Sequence, residues 1–189
     1  MLSIVISAEG LEQPAVATLA PLVAGAASGL VREVLLVDGT GNGVIERVAD
    51  VAGCRFVHFR GARGAALDAG ARVARSPWLM FLQAGAVLEP GWIDEATHFI
   101  QAVGASGKAR AGLFRHGRSR YGDRGWRNAL RLVGQQLRGP SPDQGLLIRR
   151  EHYAQLGGFR AGGGSRARLT HPLRRGSRTL LHSRIVMLG

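Results

Sequence analysis

Residues 67–86 read LDAGARVARSPWLMFLQAGA. A helix over 64–75 runs almost directly into a strand over 77–83, and a Gly-containing turn follows. The run LMFL has no polar interruption, which fits a strand covered on both faces. A helix feeding such a strand is the signature of a parallel βαβ unit.

The pattern repeats on either side. LSIVIS (2–7) is a first strand, and a helical segment spans about 14 to 30. EVLLVD (33–38) is a second strand, GTGNG a turn and VIERVADVA (44–52) a helix. CRFVHF (54–59) is a third strand, and PGWIDEATHFIQAV (90–103) a helix with Pro in its first turn. The chain therefore reads as α/β, with a mostly parallel central sheet and helices on both faces. Ligands of such sheets bind beyond the carboxyl ends of the strands. That places Ser7 to Glu9, Asp38, Arg60 to Gly64 and Gln83 to Ala86 around one rim. The second half is less regular. It predicts a strand within 107–117, a basic amphipathic helix within 119–139, and a strand, short helix and Gly stop over 143–159. A basic helix and then a strand follow over 172–188.

The length of 189 residues suits one domain with a substantial core. The charge is divided unevenly. Residues 1–104 carry 7 Arg against 10 acidic residues, whereas 105–189 carry 17 Arg and Lys108 against 3. The charge thus sets a slightly acidic half, 1–104, against a basic half, 105–189, that attracts anions. With 24 Arg to one Lys, part of that excess is compositional. Cys54 is the only cysteine, so no internal disulfide forms, and its apolar surroundings indicate a structural thiol. The start MLSIVISAEGLE lacks the basic region of a signal peptide. The uncharged stretch 14–31 is rich in Ala and Gly and interrupted by Pro21, which favours a packed helix over a membrane span.

The order LSIVISAEG, EVLLVDGTGNG, LDAGARVARSPWLMFLQAGA and DQGLLIRREHYAQLGGF resembles a family 2 glycosyltransferase of the GT-A fold, in its short bacterial branch. The resemblance covers nearly the whole chain. It implies a nucleotide-diphosphate sugar as donor, with 1–104 as the nucleotide-binding half of the single domain and 105–189 as its basic acceptor-side half. Asp38 matches the aspartate that contacts the base or ribose; a turn-forming Asp before GTGNG is the alternative reading. Arg63 is placed to pair with a diphosphate. Asp68 takes the place of a more usual Asn, and a solvated helix Asp is its plainer reading. Ser7, Glu9, Gln83 and Gly85 complete the nucleotide side. Trp126, Gln144 and Arg149 fall on the acceptor and phosphate side.

Two departures stand out. The family pattern after the fourth strand holds Mg²⁺ or Mn²⁺ through Asp-x-Asp or a one-carboxylate variant. Here Gln83, Gly85 and Ala86 occupy that neighbourhood, so no metal cofactor is expected. The family's Glu-Asp pair after LGGF supplies a general base. Ser165 and Arg166 stand near that place, which leaves Asp143 as candidate base; His171 reads as a surface residue.

Two functions follow from this. One is a glycosyltransferase, weak or metal-independent, in which arginines neutralise the diphosphate. The other is a degenerate homologue that binds a nucleotide, a phosphorylated ligand or a partner protein. The Arg-rich helix at 124–138 suits an anionic membrane surface, though packing on the domain is its plainer reading. A cytoplasmic location, with peripheral contact at the inner membrane face, is expected. Nucleic acid is disfavoured: aromatic residues are sparse among the basic runs, and no recognition motif is present. No nucleophile elbow or dinucleotide fingerprint is found.

Overall fold

The computed structural model describes residues 1–117, 145–160 and 167–188. Its centre is strand β1, Leu2–Ser7, in which every residue is buried. Alternate residues of β1 face opposite sides. Leu2, Ile4 and Ile6 enter one apolar core, and Val5 enters the other. Strands β2 (Val31–Asp38) and β4 (Trp78–Gln83) flank β1, both parallel to it, and β3 (Arg55–His58) lies parallel beyond β2.

Second-half strands extend the same sheet. β7 (Leu146–Arg149) pairs antiparallel with β4, and β6 (Ala111–His116) antiparallel with β7. β8 (Arg178–Met187) runs parallel to β6, and β5 (Ala86–Leu88) closes the far edge antiparallel to β8. The order is β3-β2-β1-β4-β7-β6-β8-β5. Among the eight described strands, antiparallel pairing is confined to contacts of β7 and β5, and the first four strands are parallel to one another.

Helices cover both faces. On one, α1 (Glu12–Leu19), α2 (Leu22–Ala27), α3 (Val44–Val51) and α5 (Trp92–Ser106) contribute Ala15, Leu22, Ile45 and Trp92 to the core. On the other, α4 (Arg63–Val73) and α6 (Arg150–Gln155) contribute Leu67 and Tyr153. The chain winds outward from β1 through β2 to β3 and returns to β4 on the other side of β1. This reversal opens a crevice at the carboxyl ends of the strands.

Three elements differ from the sequence reading. The helix expected from about 14 to 30 is two helices, because Pro21 has no amide to continue α1 and instead caps α2. The basic helix expected before the last strand is a single 3-10 turn, Arg175–Ser177, followed by the ten-residue β8. β5 was not foreseen; three residues after a Gly turn carry too little periodicity to read. The basic helix expected at 119–139 lies outside the described residues. Among the described residues, no helix is long and apolar enough to cross a membrane.

Candidate functional site

The carboxyl ends of β1, β2 and β3 and the start of α4 enclose an open cleft of about 420 Å³. Ser7, Glu9, Asp38, Thr40, Arg60 and Arg63 are among its lining residues. Gly39 permits its shape: a Cβ there would stand 2.2 Å from the Phe59 carbonyl oxygen, so only Gly lets β2 and β3 end this close together. α4 begins at Arg63 without a side-chain cap, and its first turn contributes Arg63 and Ala66 to the wall. The positive end of its dipole therefore meets the cleft, which favours an anion.

Arg63 is clamped between two strand ends. Its Nε donates to Glu9 Oε1 at 2.6 Å, and its guanidinium donates to Gln83 Oε1 at 2.5 Å. Glu9 has φ of 52°, the one described non-glycine residue in the left-handed region. Such backbone persists where the surroundings hold it, and it clusters at functional sites. Here it presents the Glu9 carboxylate to Arg63 from the turn after β1. Gln83 ends β4 in register with Ser7 of β1, so sheet pairing itself brings Gln83 beside the turn that carries Glu9.

Asp38 is buried and almost fully employed. Oδ1 accepts the Gly10 amide at 2.6 Å, and Oδ2 accepts the Thr40 amide at 3.0 Å and the Thr40 hydroxyl at 2.6 Å. Three donors against about four acceptor positions leave room for roughly one ligand contact. The turn-forming reading of Asp38 thus describes most of what its carboxylate does. Ser7 differs: it is 3% exposed, lines the cleft, and its hydroxyl has no hydrogen-bond partner among the described residues. A buried hydroxyl left unpaired is costly, so a ligand reaching it is favoured.

The other residues singled out from sequence lie elsewhere. Asp68 faces α6: its Oδ1 accepts the Tyr153 hydroxyl at 2.8 Å and its Oδ2 accepts Arg72 Nε at 2.9 Å. Burial, reinforced by the Asp68 carboxylate, pushes the Tyr153 hydroxyl far above its usual range, so it remains a donor. Gly85 is a turn residue at φ 91°. Its amide donates to the Pro14 carbonyl and the Thr18 hydroxyl, and its carbonyl accepts the Leu188 amide. Arg149 pairs in register with Trp78, the first residue of β4, and so sits at the sheet edge opposite the cleft. Trp126, Asp143 and Gln144 lie outside the described residues, as do Ser165 and Arg166. His171 is exposed.

The GT-A pattern implies a divalent cation at the end of β4. Among the described residues, no group of three or more His, Cys, Asp or Glu is placed to hold a metal ion. Gln83 offers one neutral amide oxygen, already accepting from Arg63, and a cation there would face a guanidinium. The described donor set does not fit Mg²⁺ or Mn²⁺. Burial raises the Cys54 thiol above its usual range, in keeping with a structural thiol.

No protein-family model and no curated protein matches the chain. Solved structures do. The chain superposes on S. aureus TarS 1–349 with a TM-score of 0.66 and 11% identity, over 98% of this chain and 60% of that one. For glucosyl-3-phosphoglycerate synthase from Mycobacterium tuberculosis the TM-score is 0.56 and identity 18%, over 86% and 61%. For the mannosyltransferase PcManGT from Pyrobaculum calidifontis they are 0.59 and 16%, over 87% and 49%. The chain has the GT-A fold of these transferases. It spans between 49% and 61% of their lengths.

Proposed function

We propose that this chain binds a nucleotide-diphosphate sugar in the cleft and is a GT-A-type glycosyltransferase domain in which Arg63 takes the electrostatic part of the metal. The clamp of Arg63 by Glu9 and Gln83 carries this reading. It fixes a guanidinium at the strand end where the diphosphate of a GT-A donor would need a cation. Arg binds phosphate oxygens in a bidentate fork and stays charged at any working pH. Preorganised positive charge stabilises a leaving diphosphate without reorganising during reaction.

The structural neighbours support the ligand class. TarS structures hold UDP and UDP-GlcNAc, the M. tuberculosis synthase holds UDP-glucose with Mn²⁺, and PcManGT holds GDP-Man with Mn²⁺. In the proposed transfer, the bond from the sugar's anomeric carbon to the β-phosphate oxygen breaks, and one to an acceptor oxygen forms. The nucleoside diphosphate leaves with the bonding electrons, and the acceptor proton passes to a base. Asp143 remains the candidate for that base.

A second reading is a binding module without transfer. The observation favouring it is that Glu9, Asp38 and Asp68 all spend their carboxylates on internal partners. Release of free UDP or GDP from the corresponding sugar nucleotides decides between them. Turnover that survives EDTA and is lost in Arg63→Ala supports the transferase. Tight nucleotide binding without turnover supports the module.

A further inference from the structure

The parallel pairing of β6 with β8 contains a register shift. Leu113 pairs with Leu180, but Arg115 pairs with Arg184, so Phe114 alone faces Leu181, His182 and Ser183. The amides of His182 and Ser183 are taken up from the side by Glu95 of α5, whose two carboxylate oxygens accept them. The bulge is thereby held, and its consequence is to set two arginines side by side. Paired residues of a ladder point to the same face, and neighbouring strands lie about 4.8 Å apart. Like charges in that position repel each other. Both side chains are exposed, and neither has an ion pair or hydrogen bond among the described residues. Glu89 lies close by, with Oε1 and Arg184 Cβ both near Gly117, yet it forms no ion pair with either arginine.

Their place in the sheet gives the pair meaning. β6 and β8 run in the direction of β4, since each antiparallel step from β4 to β7 to β6 reverses the chain once. Arg115 and Arg184 therefore stand toward the same carboxyl edge as the cleft. β6 is three strands from β1 and β8 four, which puts the pair roughly 15–20 Å from Ser7. The face is also the one that α4 covers further along, because Leu113 belongs to the core beneath α4.

We propose that Arg115 and Arg184 form a second anion site, which takes a phosphate group of the acceptor substrate. Two guanidinium groups carried at paired positions on one face match the several oxygens of a phosphate, and the ligand relieves the repulsion between them. A phosphate-bearing acceptor anchored there would reach along the rim toward the nucleotide cleft. Calling this ligand the acceptor rests on the transferase reading; the anion site itself does not.

The test uses fluorescein-labelled short-chain polyphosphate, read by anisotropy on the full chain. Arg115→Ala/Arg184→Ala is expected to weaken binding about tenfold or more. Lys108→Ala/Arg110→Ala removes the same charge from exposed positions nearby and is expected to change it by no more than roughly twofold. With the nucleotide cleft filled by saturating UDP, polyphosphate binding is expected to persist, whereas Arg63→Ala is expected to lose UDP binding, so failure of the nucleotide cleft and failure of this site are separable. Absent wild-type binding, equal weakening by both double variants, or undiminished binding by Arg115→Ala/Arg184→Ala would each overturn the proposal. So would loss of binding to phosphatidylglycerol vesicles with polyphosphate binding unchanged, which would make the pair a membrane contact. Circular dichroism and melting temperature verify that the variants are folded.

Discussion

Gln83 and Arg63 are separated by 20 positions, and nothing local in the sequence pairs them. Their hydrogen bond exists because β4 lies in register with β1 and because α4 starts beside the ends of both strands. The absence of a carboxylate at Gln83 was legible in the sequence; that an arginine would be tied to its amide was not. Asp38 shows the opposite case, since both readings of it were available and the hydrogen bonds show how large the structural part is. Asp38→Ala would leave the Gly10 amide and the Thr40 groups without an acceptor. It should destabilise the fold by about 2–4 kcal/mol, measured by urea denaturation, because charged hydrogen bonds are lost and buried donors are left unpaired. Loss of nucleotide binding in that variant alone would therefore not identify a ligand contact. Ser7→Ala is the cleaner probe. It removes a hydroxyl with no partner among the described residues, so stability should hold or rise slightly while nucleotide affinity, read by calorimetry, falls several-fold.

Elements of the first half were legible because long apolar runs and tight turns leave few alternatives. The boundaries of β1 and β4 follow directly from LSIVIS and WLMFLQ. β8 was harder, since Arg and His punctuate it and a strand with one face open reads much like a polar helix. Two side chains at this scale join elements that the sequence leaves apart. Arg150 opens α6 and donates to the carbonyls of Ala71, Ala74 and Ser76, which satisfies the end of α4. Arg150→Ala should cost about 2–4 kcal/mol in denaturation experiments, and Arg150→Lys should recover only part, because Lys lacks the fork that reaches three carbonyls. Glu95 does the equivalent work for β8. Burial tends to raise its carboxyl, but the amides of His182 and Ser183 outweigh that and hold it below the usual carboxylate range. A depressed folded value means that this stabilisation is full above the unfolded value, near 4.5, and is lost as pH falls through the folded one. The stability gap between wild type and Glu95→Gln, followed by urea melts from neutral to acid pH, should therefore shrink below about pH 4.

At the scale of the molecule, the sheet places its chemistry on one edge. The winding reversal at β1 makes the cleft, and the strands added by the second half carry the Arg115–Arg184 pair to the same edge. The basic bias of residues 105–189 was visible in the sequence, but which arginines face that edge was not. Arg149 belongs to a motif that points to the acceptor side, yet five residues of β4 separate its level from that of the cleft, and only strand direction reveals this. The central claim is that a fixed guanidinium serves in the part that Mn²⁺ takes beside the sugar nucleotide in two of the structural neighbours, and calorimetric titration with UDP and GDP, in Mn²⁺ and in EDTA, tests it most directly. One of the two nucleotides should bind with the same affinity in both media, and Arg63→Ala should weaken it by about tenfold or more. Binding that requires Mn²⁺, or no binding of either nucleotide, would contradict the account.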